Sequence, residues 1–239
     1  MNADGNFDNP ENSRDTLIVE SGRLKELDFL FREPLQNTTL NAMDLRLIFR
    51  SFRRAALQHL NPRLGLNVDV RYRSTFGDDA YQGDVLLGRA DLFLPGLSRN
   101  HSFAINAMYQ RQDVLDNYRF SNLFVYPRGY DTVFGDEVFK LGFNYYLPLF
   151  YPDLALNGLA FLKRVKANVF YDQAWLSAGS PFTNTWIQNA AGLELTFDVR
   201  FLRLLEIDFG LRYSYILGDD FLPNGGRHQF DFLLLSITE

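Results

Sequence analysis

The chain has 239 residues, enough for one large domain, with no cysteine and 24 Lys and Arg set against 29 Asp and Glu for a net charge of −5. Disulfides, thiolate metal centres and thiol nucleophiles are thereby excluded, and the acidic balance offers no bulk attraction for nucleic acid. Aromatic residues reach 15% while the mean hydropathy is −0.18; no uncharged apolar run approaches the roughly 18 residues of a transmembrane helix, so a membrane crossing would fall to strands, whose average hydropathy stays low.

The opening MNADGNFDNPENSRD is polar and acidic and lacks the basic start and apolar core of a signal peptide. Residues 1–22 read as a linker or loop remnant and 23–239 as one β domain. Alternation begins at 24–32 and 41–53, the latter ending in the basic run Arg50 to Arg54, which suits either lipopolysaccharide phosphates or the lumen, with the lumen preferred for Arg50. It is strict over 64–73, where Leu64, Leu66, Val68, Val70 and Tyr72 oppose Asn67, Asp69, Arg71 and Arg73. Weaker versions follow at 84–94 and 101–112, then comes an excursion from Asp113 to Glu137 that contains FVYPRGYDTVFGDE. A strand at 138–148 leads into LFYPDLALNGLAFLKR, read as an interfacial or plug-like segment, and the next strand is 164–176. Over 193–201 and 205–215 the alternation is strict again, with Leu205, Ile207, Phe209, Leu211, Tyr213 and Tyr215 on one face against Glu206, Asp208, Gly210, Arg212 and Ser214. The last strand is 228–237.

Side chains alternate across a strand, so these segments predict about ten two-faced strands of 9 to 13 residues. Strands of soluble sandwiches average about 5 or 6 residues, whereas a tilted crossing of a bilayer takes about 9 to 11. Connection lengths point the same way. The link at 202–204 is tight, and its neighbours LSAGSPFTNTW and ILGDDFLPNGGRH are long and rich in Gly, Pro, Asn and Ser. Short turns on one rim and long loops on the other are the pattern of outer-membrane barrels. The predicted fold is therefore all-β, an antiparallel transmembrane β-barrel of about ten strands in this chain, with 113–137 as one long external excursion. A soluble lipocalin-like sheet with a buried apolar face is the alternative.

The triplet Arg128, Gly129, Tyr130 ahead of five final strands, together with NVFYDQAW two strands later, resembles the BamA-like bacterial surface-antigen family of outer-membrane barrels. In that strand Val165, Ala167, Val169 and Tyr171 share the apolar phase, which puts Asp172 on the opposite side. The resemblance implies a loop held inside the lumen by an Arg128–Asp172 latch, with Gly129 permitting the turn and Tyr130 packing on the wall. It also implies a sixteen-stranded barrel of which this chain is the C-terminal part. A smaller complete barrel of ten strands is the other possibility. The family's Glu before the aromatic-x-x-Pro-Leu ending is replaced by Asn144 in NYYLPL, and its terminal aromatic is absent from LLLSITE. HLNPRLGLNVDVRYRSTF and FLPGLSRNHS are similar to Bacteroidetes-type surface-antigen barrels attached to periplasmic propeller domains.

The implied function is protein insertion or translocation at the outer membrane, with a passive pore or an anchor for a periplasmic domain as the alternative. Expected partners are outer-membrane lipid and lipopolysaccharide, client outer-membrane proteins or periplasmic accessory domains, and no nucleic acid. No cofactor and no metal is expected. Enzymatic activity is not expected either: His59, His101 and His228 fall at predicted strand ends without metal spacing, and Ser214 is placed at a different depth from His228.

Overall fold

A computed structural model describes residues 41–53, 61–76, 82–98, 100–112, 118–133, 135–152, 154–156, 160–177, 185–201, 205–218, 220, 223 and 226–238. The expected linker 1–22, the strand at 24–32, Arg54, His59 and the link at 202–204 lie outside these residues.

The described residues form one antiparallel sheet and no helix. Its strands are β1 (Asn41–Phe52), β2 (Gly65–Phe76), β3 (Asp84–Pro95), β4 (Ser102–Gln112), β5 (Glu137–Phe150), β6 (Leu154–Leu156), β7 (Ala160–Ser177), β8 (Thr185–Phe201), β9 (Leu205–Ile216) and β10 (His228–Thr238). They lie side by side in chain order except that β5 pairs with β7, and β6 folds back on the start of β7 with Ala155 opposite Phe161. LFYPDLALNGLAFLKR therefore contributes a short hairpin that lengthens β7. It does not form a plug, because its alternating residues pair with their own continuation.

Nine strands make the main path, and β1 and β10 end it without a partner among the described residues. The expected ring of strands is thus observed as an open sheet. Even so the sheet is strongly curled. One cavity of about 870 Å³ takes its walls from Arg89 on β3 and Asn106 on β4 as well as from Arg212 on β9 and Asp231 on β10, with the 124–132 segment between them.

One face is apolar in every long strand. Leu47 on β1 is 70% exposed and Phe230 and Phe232 on β10 are 78% and 69% exposed, with Leu193 and Leu211 also uncovered between them. Aromatic rings stack across strands on this face, from Phe103 to Phe143 to Tyr171 at 6.4 and 6.5 Å and from Phe197 to Phe209 to Phe232 at 5.3 and 6.1 Å. Aromatic cross-strand pairs of this kind stabilise a sheet by a few tenths to about 1 kcal/mol each. The other face carries the charges.

β8 begins at Thr185, eight residues before the strict alternation that starts at Leu193. Its first half, TWIQNAAG, turns Trp186, Gln188, Ala190 and Gly192 towards the interior. Trp186 packs against the cluster formed with the loop, and Gln188 is the one polar side chain among these inward residues, so the polar half of the period is weak there.

Candidate functional site

The inward loop is built on a tight turn. Tyr130 N–H donates to Pro127 O at 3.1 Å, which closes a four-residue turn around Arg128 and Gly129. Gly129 has φ of +89°, a value that a β-carbon penalises and that a type II turn requires at its third residue. The turn aims the Arg128 guanidinium down onto β7.

There Arg128 and Asp172 make three hydrogen bonds. The Arg128 backbone N–H donates to Asp172 Oδ2 at 3.1 Å, Nε donates to Oδ2 at 2.8 Å and Nη2 donates to Oδ1 at 2.8 Å. The last two form the planar fork that a carboxylate matches, which fixes direction as well as adding energy. Nη2 also donates to Asn144 Oδ1 at 2.8 Å on β5, and Nη1 donates to Glu194 Oε1 at 3.3 Å on β8. Below the guanidinium plane the Phe170 ring centroid lies 3.6 Å from Cζ. Lys140 Nζ sits 3.5 Å from Asp172 Oδ2 and donates to Tyr126 O at 3.0 Å. Two carboxylates and two cations are thus enclosed together, with the Asp172 side chain 1% exposed and that of Arg128 15%.

Space for this clasp is made by the neighbouring strand. Gly142 on β5 stands opposite Asp172, and a β-carbon there would lie 2.8 Å from Asp172 Oδ1. Tyr130 closes the far side: its hydroxyl donates to Asn189 O and accepts from Asn189 N–H, each at 3.2 Å. The rest of the loop is held by apolar contact. Phe124, Tyr126 and Val133 pack with Met108, Val138, Ala174 and Leu176 on the inner face, and the Tyr126 hydroxyl donates to Val133 O. Burial pushes the Tyr126 phenol up to about 12, against a smaller opposing effect of its hydrogen bond with Asn122. A raised folded-state value means that the neutral phenol's contribution is complete below the ordinary tyrosine value near 10 and is lost as pH rises towards 12. Alkaline difference spectra of the wild type against Tyr126→Phe are expected to show this phenolate appearing near pH 12; appearance at about 10 would place the ring in water.

Asn144 and Glu194 tie the clasp into a belt that crosses the whole sheet at one level. Arg50 Nε donates to Asn67 Oδ1 at 3.2 Å, and Asn67 Nδ2 donates to Asp91 Oδ2 at 2.9 Å. Asn106 Nδ2 donates to Asp91 Oδ1 at 2.7 Å, Asn144 Nδ2 to Asn106 Oδ1 at 2.6 Å and Asn168 Nδ2 to Asn144 Oδ1 at 3.0 Å. Asn168 Nδ2 also donates to Glu194 Oε2 at 2.8 Å, Arg212 Nε donates to Glu194 Oε1 at 2.6 Å, and Arg212 Nη1 lies 3.7 Å from Asp231 Oδ2. Every strand of the main path supplies one member. Such networks polarise along their length, and the loop arginine enters this one near its middle.

The structure therefore brings Arg128, Gly129, Tyr130 and Asp172 together. Asn144, expected from the sequence to alter a polar contact, accepts a hydrogen bond from Arg128. Lys140, Phe170 and Glu194 were not anticipated; the signal available for each was its phase, since all three share the inward parity of their strands. Arg50 faces the polar side with Asn67. Ser214 and His228 point to opposite faces of adjacent strands, because Ser214 pairs with Gln229 and His228 with Tyr215. His101 and His228 each hold a tyrosine hydroxyl through Nδ1 at 2.8 Å, Tyr145 and Tyr213 respectively. Among the described residues no three His, Asp or Glu side chains gather to hold a metal.

No family model, curated protein or solved structure matches this chain.

Proposed function

We propose that the chain belongs to an outer-membrane β-barrel of the surface-antigen type, with its apolar face in hydrocarbon and loop 113–137 folded into a hydrated interior, where it serves protein insertion or translocation. The observation that carries this reading is the uncovered apolar stripe on the face away from the clasp, with exposed large apolar side chains on eight of the nine strands of the main path, from Leu47 on β1 to Phe232 on β10. A monomer in water rarely leaves an apolar patch of more than a few hundred Å² exposed. Hydrocarbon removes the cost, and strands of 11 to 18 residues meet or exceed the crossing length of about 9 to 11.

Parity supports a barrel completed by other strands. With nine antiparallel neighbours, β1 and β10 run in the same direction, so joining them directly would form a parallel seam. An odd number of further strands, whether one or seven, would leave every pair antiparallel, as lipid requires a ring without open edges. The loop fills one end of the interior with Phe124, Tyr126 and Val133. That favours a plugged, opening barrel over a constantly conducting pore or a bare anchor.

The two tryptophans test the orientation. Trp175 stands on the apolar face, stacked on Phe139 at 5.5 Å, and Trp186 faces the interior cluster. In vesicles containing lipids brominated near the top of the acyl chains, Trp175 in a Trp186→Phe variant is expected to be quenched strongly and Trp186 in a Trp175→Phe variant to be spared. Equal quenching of both, or of neither, would contradict the assignment of faces.

A further inference from the structure

Most of the wall that receives Arg128 is paired without it. Glu194 Oε1 accepts from Arg212 Nε at 2.6 Å and Oε2 from Asn168 Nδ2 at 2.8 Å, so the loop arginine at 3.3 Å is its most distant donor. Asn144 Oδ1 accepts from Asn168 at 3.0 Å as well as from Arg128. Asp172 differs: its three hydrogen bonds all come from Arg128, and its side chain is 1% exposed. Left there alone, the carboxylate would bear the penalty of a buried unpaired charge. The cation beside it is Lys140, whose Nζ lies 3.5 Å from Oδ2, beyond good hydrogen-bonding distance. The ammonium gives its hydrogen to the loop instead, to Tyr126 O at 3.0 Å.

We propose that Lys140 is the reserve counter-ion of Asp172 and makes the clasp a reversible latch: as the 124–130 segment withdraws, Tyr126 O leaves with it, and the freed ammonium closes onto the carboxylate that Arg128 releases. One movement of the loop removes both the guanidinium and the acceptor that occupied Lys140, so no step leaves Asp172 alone. The placement suits this exchange. Gly142, with no side chain, lies between Lys140 and Asn144 on the inner face of β5 and directly opposite Asp172. A lysine is a compact charge on a flexible stem and swings through such a distance more readily than a planar fork. With the loop withdrawn, Asp172 with Lys140 and Glu194 with Arg212 are two balanced pairs. What resists opening is then the Arg128 fork and the burial of Phe124, Tyr126 and Val133, and not a stranded acid. The inference rests on the reading of the loop as a plug that opens.

The chain has no cysteine, so Val133→Cys, at a position 1% exposed, reports opening through its reaction with a water-soluble maleimide in vesicles. In that background Lys140→Met is expected to slow labelling about tenfold, because opening then strands Asp172, and Lys140→Arg to slow it less. Were Lys140 only a strut beneath Tyr126 O, its loss would loosen the loop and speed labelling. Adding Asp172→Asn should abolish the slowing, since a neutral amide needs no counter-ion. Folding yield gives a second measure: Lys140→Met should lower the yield of Arg128→Ala, and Asp172→Asn should restore it. Labelling that Lys140→Met accelerates or leaves unchanged, or an Arg128→Ala yield indifferent to Lys140→Met, overturns the inference while the plug reading stands. Absence of labelling in every variant overturns the opening itself, and both fall together.

Discussion

Replacing Asp172 by Ala is expected to destabilise the chain by roughly 3 to 5 kcal/mol, because it leaves Arg128 and Lys140 enclosed without their shared counter-charge. The loss is larger than for an exposed ion pair, worth about 0 to 1 kcal/mol, since three hydrogen bonds and a 1% exposed carboxylate go with it. Arg128→Lys should lose less, as a charge remains, but it forfeits the two-pronged contact and the stacking on Phe170. The second consequence is local: the 118–133 segment should become open to proteases. Denaturant unfolding in detergent and limited proteolysis would check both, and a double-mutant cycle of Arg128→Ala with Asp172→Ala would isolate the pair. A stability change within about 0.5 kcal/mol would show that the cluster around Phe124 and Tyr126 holds the loop unaided.

Leu193→Arg separates the lipid reading from a water-facing or protein-covered sheet. Leu193 sits on the apolar face of β8 between Val169 and Tyr213, at 41% exposure. If that face meets the middle of a bilayer, an arginine there should cost about 2 to 4 kcal/mol and reduce the folded fraction recovered in vesicles. On a face exposed to water the same change should stay within about 0.5 kcal/mol, and in vesicles it would be silent. If another protein layer covers the face, binding of that layer is lost while vesicle folding is unaffected. The three outcomes do not overlap.

Much of the fold is legible in the sequence because side-chain direction along a strand depends only on parity. The strict stretches around Val68, Leu195 and Phe209 place their strands and faces from composition alone, and Asp172 falls on the inner side by the same rule. Where parity is blurred the reading stops short. The start of β8 was missed because its inner phase, Trp186, Gln188, Ala190 and Gly192, carries one polar residue among apolar and small ones, with Trp186 packed against the loop cluster. In the 149–164 stretch, read as interfacial or plug-like, the pairing of β6 with β7 went unseen because a three-residue strand is too short to leave a period of its own.

The residues of this chain by themselves determined the two-faced strands, the apolar stripe and the inward side of Asp172; its pairing with Arg128 was expected only from a resemblance. Only the tertiary structure decided that Asn144 and Glu194 complete the guanidinium's contacts, that Gly142 makes room for the carboxylate and that a hydrogen-bonded row runs from Arg50 to Arg212 and ends in an ion pair with Asp231. The reason lies in register. Which residues meet across neighbouring strands is set by where each connection brings the chain back, and a slip of two residues would leave every local pattern intact while dissolving the row.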